Sequence, residues 1–217
     1  MSSSRSRYRY QALTDYLGMT LVLILFFCIY SAATENFFRI ATFRTIANQI
    51  PDAVIIATGM TFVLIIAGID LSVGSVLALS GSVLGICLVK LGWPLPLAIA
   101  ACLATGLLCG ALSGFVVIRW AIPSFIVTLG MMEMARGGAY LVTDSQTQYI
   151  GRPIEVVADT TVFGLSLPFY IALAVVIGGQ LLLTKTVFGR HMLAIGANEE
   201  AARLTGLRTR LVKWTVF

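Results

Sequence analysis

Long runs of apolar residues, nearly free of charge, leave this chain few ways to fold. Six of them, Leu17–Ala33, Ala53–Ile69, Ser72–Leu91, Leu95–Ile118, Ile122–Val142 and Phe163–Leu183, fall near the length a membrane span requires. A helix needs about 20 such residues to cross a hydrocarbon core roughly 30 Å thick. A soluble helix of that length carries an apolar stripe and a polar back, whereas these segments are apolar nearly all round. Lipid offers no partners to backbone N–H and C=O groups, and a helix satisfies them within itself. The fold class that follows is all-α: a polytopic integral membrane helical bundle of about six transmembrane helices, with a further apolar run beginning at Leu211–Phe217. Composition agrees, with 58% hydrophobic and 12% charged residues and a mean hydropathy of +0.92. Residues 1–217 read as a single transmembrane domain, with a polar connection, 184–210, inside it.

Orientation follows from where Lys and Arg collect. Arg5, Arg7 and Arg9 precede the first span, Arg119 follows the fourth, and Lys185, Arg190, Arg203, Arg208 and Arg210 follow the sixth. If all six segments cross, these regions share one side, and the positive-inside bias makes that side, with the N-terminus, cytoplasmic. The connection from Thr143 to Val162 carries Asp144, Glu155 and Asp159 against Arg152, which suits the outside. Lys90, Arg39 and Arg44 fall outside and run against the bias. A secretory signal is the alternative for the first segment, since Ser31–Ala33 resembles a small-residue cleavage site. An uncleaved span is preferred because five more follow. The net charge of +5 then reflects membrane orientation and gives no reason to invoke nucleic acid.

Several polar or small residues inside the apolar segments need an explanation. Between spans two and three, Ala67-Gly68-Ile69-Asp70-Leu71-Ser72-Val73-Gly74 is either a tight surface hairpin with Asp70 or Ser72 capping the next helix, or a break in helical structure at membrane depth lining a cavity. Glu133 and Arg136 stand three apart on one helix face, at an insertion cost of about 2.5–3.5 kcal/mol each near the midplane. They are accounted for by mutual pairing toward the bundle interior, by a polar pathway, or by both. Gly106, Gly110 and Gly114, and Gly81 with Gly85, form small-residue faces for close helix packing, within one subunit or between two. Pro123 sits at a helix start, where its missing N–H is harmless.

Catalytic chemistry finds few residues to work with. The single histidine, His191, lies in the polar connection, so neither a paired-His metal site nor an intramembrane Ser/His dyad can be assembled. Cys28, Cys87, Cys102 and Cys109 lie in apolar segments without CxxC spacing and read as reduced packing residues. No lysine follows the glycine spacing of a phosphate-binding loop, so any ATP must be bound by another chain. The chain reads as no enzyme, with no cofactor of its own. In the polar connection, Asn198–Leu204 reads as a short helix capped by Asn198, opened by Glu199 and Glu200 at its positive end and ended by Gly206. Such a helix either docks in a partner's groove or is simply a solvated loop helix.

Glu200-Ala201-Ala202 followed by Gly206 resembles the EAA loop of ATP-binding-cassette (ABC) importer permeases. Gly68-Ile69-Asp70-Leu71-Ser72-Val73-Gly74-Ser75, Pro123-Ser124-Phe125-Ile126-Val127-Thr128-Leu129-Gly130 and Phe188-Gly189-Arg190 are similar to motifs of the ribose/xylose branch of sugar ABC permeases. The resemblance runs from about Leu17 to Lys213. It implies a monosaccharide importer with two permease subunits forming a homodimer, a cytoplasmic ATPase pair and a periplasmic sugar-binding protein, seated in the bacterial inner membrane. It also implies that Asn198, Glu199, Glu200, Ala201, Ala202, Arg203 and Gly206 form the element that couples to the ATPase. Asp70, Ser72, Thr128, Glu133 and Arg136 are the candidate pathway residues. Permeases of this branch run to about half as many residues again, so the chain reads as C-terminally truncated. An ion-coupled secondary transporter, working through Asp70 or Glu133, and a non-transporting membrane subunit are the competing readings.

Overall fold

A computed structural model describes residues 3–34 and 37–217. The side chains of residues 3–16, 152, 153, 158 and 159 lie outside the description, and with them those of Arg5, Arg7, Arg9, Arg152 and Asp159 in the charge argument. The chain divides into two units, residues 1–49 and 50–217. The first holds α1 (Ser3–Ala33) and α2 (Ile40–Gln49). Beyond the apolar half of α1 the chain turns on an aromatic cluster, with the rings of Phe27 and Phe37 edge to face at 5.5 Å and Tyr30 stacked on Phe37 at 6.2 Å.

The second unit contains α3 (Pro51–Ile65), α4 (Val73–Val89), α5 (Leu95–Trp120), α6 (Ser124–Thr143), α7 (Arg152–Asp159), a two-stranded hairpin β1 (Thr161–Val162) and β2 (Leu165–Ser166), then α8 (Leu167–Lys185), α9 (Val187–Ala197), α10 (Glu199–Leu204) and α11 (Thr209–Trp214). Prolines stand at the starts of α3, α5, α7 and α8, where the absent N–H costs nothing. Two groups of helices form. One packs α4 against α5 and α6; the other packs α3 against α8. In the second group Gly179 admits Thr58 and Phe62 to within 3.1 and 3.2 Å of where a Cβ would stand. The short helices α9 and α11 bridge the groups, α9 touching α3 and α8, and α11 touching α5.

The small-residue face of α5 serves packing within the chain. A Cβ on Gly110 would collide with the Phe217 carbonyl, and one on Gly114 would lie 3.1 Å from Trp214. Trp214 Nε1 donates to the Ala111 carbonyl at 3.1 Å. Cys87 and Cys109 are buried packing residues, Cys102 is half-buried and Cys28 exposed, all of them free thiols.

The helices bear on three of the expectations. By length and apolarity together, two helices among the described residues, α5 and α8, are long and apolar enough to cross a membrane as single straight elements; the apolar part of α1, 17–33, and α4 are shorter. The helical bundle stands, but the count of six spans is not established by helix length. The sixth segment begins at Leu167 and not at Phe163, because Phe163 (φ 53°) and Gly164 (φ 82°) form the turn of the β1–β2 hairpin. Positive φ at both central residues is what a two-residue hairpin of right-handed twist demands. Finally, the connection 184–210 holds a second helix ahead of the expected one at Asn198–Leu204. Its first part is α9, capped where Thr186 Oγ1 accepts from the Gly189 amide at 3.1 Å, and α9 buries Met192 and Ile195.

Candidate functional site

Residues 66–72 leave α3 and reach α4 without helical structure. The exit is a Schellman-type ending, with Gly68 N donating to Val63 O and Ala67 N to Leu64 O, both at 2.9 Å. Ala67 takes the left-handed conformation at φ 58° that glycine usually supplies there. Beyond it the backbone finds its partners on α6: Ile69 N donates to Ser124 Oγ at 2.9 Å and Leu71 N to Thr128 Oγ1 at 3.1 Å. The two spacings match. Two residues of extended chain advance about 6.7 Å, and the four residues from Ser124 to Thr128 advance about 6 Å along a helix. Alternate amides of the crossover therefore meet successive turns of α6. Thr128, fully buried, donates in turn to the Ser124 carbonyl at 3.0 Å.

This geometry replaces both sequence alternatives in part. α3 and α4 do not pair as a two-helix hairpin, since α3 packs on α8 while α4 packs on α5 and α6. Nor does Asp70 or Ser72 cap α4 through its side chain in the expected way. Ser72 holds the N-cap position in helical conformation with no side-chain cap bond. Asp70 Oδ1 instead accepts from Ser72 N at 2.8 Å and Ser72 Oγ at 2.7 Å, a local turn that closes the crossover before α4 begins. The chain between α3 and α4 is not helical, and its Gly68, Ile69, Leu71 and Ser72 amides are bonded within the protein, as breaks tolerated in membranes require. Asp70, Ser72 and Thr128 are thus brought together at one place.

Glu133 and Arg136 lie further along α6 and pair with each other, Arg136 Nη1 to Glu133 Oε1 at 3.3 Å. The pairing is one of the expected readings, and the pair does not point into the interior of this chain. Both side chains are more than half exposed, because α6 buries the stripe of Thr128, Met131 and Ala135 and the charges fall off that stripe. Arg136 borders a groove with Leu71, Gly74 and Ser75 at the start of α4 and with Tyr140. Near the opposite end of these helices Lys90 Nζ meets Asp144 Oδ2 at 2.8 Å. This contact holds the Asp144 carboxyl below the ordinary aspartate range, through the hydrogen bond first and the charge of Lys90 second. It also gives Lys90, which ran against the charge bias, a partner at the same end.

The remaining candidates form α10. Asn198 Oδ1 accepts from Ala201 N at 3.0 Å, as the sequence led us to expect, and Glu199 and Glu200 occupy the first turn. Gly206 (φ 86°) ends the helix, with Leu207 N donating to Ala202 O at 3.2 Å and Gly206 N to Arg203 O at 3.0 Å. Ala202 is buried with Ile66, Met192, Ile195 and Val212, the apolar cluster that fixes α10 to α9, α11 and the end of α3. Lys213 Nζ holds Glu199 at 2.9 Å. The outer face presents Glu200, Arg203 and Leu204, with Leu204 80% exposed. Leu204 was not among the expected coupling residues, and only its place opposite Ala202 on the helix could have pointed to it. A cavity of about 670 Å³ adjoins α10, bordered by Gly68, Ile69, Pro123, Ser124, Glu199, Glu200 and Arg203. Among the described residues no three His, Cys, Asp or Glu side chains come close enough to hold a metal ion.

Comparison with known proteins places these elements in context. The family described as branched-chain amino acid transport system / permease component matches residues 42–217. The chain is 36% identical over 208 residues to a ribose import permease protein of Haemophilus influenzae, covering 91% of this chain and 62% of that protein. To the xylose transport system permease protein of Escherichia coli it is 34% identical over 225 aligned residues, 75% of this chain and 57% of the other. To the L-arabinose transport system permease protein of Escherichia coli it is 34% identical over 212 residues, 96% and 64%. The chain therefore spans less than two thirds of the length of these curated relatives. No solved structure matches it.

Proposed function

Since the chain belongs to the family of branched-chain amino acid transport system permease components, a group of transport subunits, we propose that it is the membrane-spanning permease of an ABC importer for a monosaccharide. The relatives named for ribose, xylose and L-arabinose support that substrate class. The observation that carries the coupling role is α10: capped by Asn198, ended at Gly206 and anchored by Ala202, it exposes Leu204 beside Glu200 and Arg203, which pair with each other at 3.8 Å. A rigid short helix with an apolar knob between charges suits a groove on a partner. In this reading Asn198–Gly206 seats on a cytoplasmic ATPase, and a rigid-body closure of that partner displaces the bundle.

The same reading takes α1, α3, α4, α5, α6 and α8 as six spans, with the N-terminus and α10 in the cytoplasm and α7 with the β1–β2 hairpin outside. It seats the chain in the bacterial inner membrane beside a second copy of itself and opposite a periplasmic sugar-binding protein. The Glu133–Arg136 pair supports placing the exposed face of α6 on a polar pathway, because two half-exposed charges near mid-helix are costly against lipid. Asp70, Ser72 and Thr128 shape the start of that pathway through the crossover. The test is capture of the cognate ATPase by this chain in nanodiscs. Wild type is expected to capture it, and Glu200→Lys and Gly206→Asp to lose capture. Equal capture by all three would remove α10 from the interface.

A further inference from the structure

The crossover between α3 and α4 is held at both ends by elements with different jobs. At its start Ile66, 3% exposed, packs in the cluster that anchors α10, with Met192, Ile195, Ala202 and Val212. Three and five residues later, the Ile69 and Leu71 amides hang on Ser124 and Thr128 of α6. In between, the Ala67 and Gly68 amides close the end of α3 on the Leu64 and Val63 carbonyls, and no helical bond spans Ile69–Leu71. Beside it lies the cavity of about 670 Å³, bordered by Gly68, Ile69 and Ser124 on one side and by Glu199, Glu200 and Arg203 on the other. A segment packed at one end, hydrogen-bonded at the other and open along its flank has room to shift. Packed elements move as units between discrete arrangements, so a shift at Ile66 does not dissipate within the cluster.

We propose that Gly68–Ser72 is a mechanical link: displacement of α10 passes through Ile66 into the crossover and, by way of the Ser124 and Thr128 hydroxyls, onto the first turns of α6. Ser124 and Thr128 are then positioning residues for transport. This deepens the coupling reading of α10 and rests on it for its biological meaning, while the link itself is a property of this chain. Two consequences follow from the chemistry. Each hydroxyl is the acceptor for one specific amide, so removing it frees that amide and not its neighbour. The net value of such a bond corresponds to roughly two- to tenfold in the local opening equilibrium. A disturbance at Ala202, by contrast, must loosen both amides together, and only while Ile66 fills its place.

The experiment is amide hydrogen exchange of the chain in nanodiscs, resolved at Ile69 and Leu71. Ser124→Ala is expected to speed exchange of Ile69, and Thr128→Val that of Leu71, each by roughly two- to tenfold. Ala202→Leu, which overfills the cluster, is expected to speed both, and Ile66→Ala in the same chain to abolish that effect. Ala202→Val supplies a milder form should the larger side chain unfold α9–α11. The link is overturned if Ala202→Leu or Ala202→Val alters protection in α9–α11 while Ile69 and Leu71 exchange as in wild type. ATPase capture on the same preparations judges the other reading separately. Its absence alongside transmitted exchange effects would overturn the ATPase assignment and still uphold the link from α10 to α6.

Discussion

Gly196, on the last turn of α9, lies where a methyl group would run into the carbonyl of Ile65, the final residue of α3. Gly196→Ala therefore sets two effects against each other. Alanine gains up to about 1 kcal/mol over glycine in a helix interior, and less near an end. Overpacking costs typically about 1–3 kcal/mol, and the upper part of that range applies because the obstacle is backbone and cannot rotate away. The collision wins, and the expected net loss is about 1–2 kcal/mol. For a chain of 150–250 residues that lowers Tm by roughly 2–8 °C. Gly81→Ala is the counterpart: it lies within α4 with no atom within 4 Å of the added carbon, so only the helical gain remains and Tm is expected to rise by a few degrees, about 2–4 °C. Thermal unfolding followed by far-ultraviolet circular dichroism in one detergent compares the two. Shifts of the same sign would refute the claim that α9 and α3 meet through their backbones at Gly196.

Asn198→Ala removes the acceptor for the Ala201 amide and is expected to cost about 1 kcal/mol, seen as faster amide exchange confined to the first turn of α10. Ala67→Gly relieves a left-handed alanine and is expected to stabilise by up to about 1 kcal/mol, measured by the same thermal scan. The Asp144 carboxyl, held down by Lys90, is expected to titrate below the ordinary aspartate value of about 3.9 by carbon-detected NMR and to return toward it in Lys90→Ala. Because the folded pKa is the lower one, the contribution of this pair is present above the unfolded value and is lost as pH falls through the folded one. An unchanged titration in Lys90→Ala would remove the pair.

Much of this architecture was legible from apolar run length, because the backbone's need for internal hydrogen bonds in lipid forces helices whatever the side chains. The α10 helix was legible in detail for a local reason. Its start and stop are written in the chemistry of Asn198, Glu199, Glu200 and Gly206, and each acts within four residues. What could not be read depends on distant partners. Ser124 looks like an ordinary residue after a proline until the Ile69 amide, 55 positions away in sequence, is found on it. The Asp70 region kept its two readings open for the same reason, since a cap and a break use the same residues and differ in whether α3 and α4 pack together. The α9 helix was hidden because Arg190 and His191 lend polarity to a segment whose other face buries Met192 and Ile195. Glu133 and Arg136 announced their pairing by spacing, but which way the pair faces is set by the stripe α6 gives to α4, and sequence alone does not fix that choice.

The central claim, that α10 is the element seated on the ATPase, is tested most directly by site-specific photocrosslinking in the assembled importer. A photoreactive residue is placed at Glu200 or Leu204 on α10, and at Phe163, 90% exposed in the β1–β2 hairpin, as the reference that the proposed topology puts across the membrane. Crosslinks to the ATPase from 200 and 204 and none from 163 are expected. Crosslinks to the ATPase from 163, or none from either α10 position in an importer that still transports, would contradict the account.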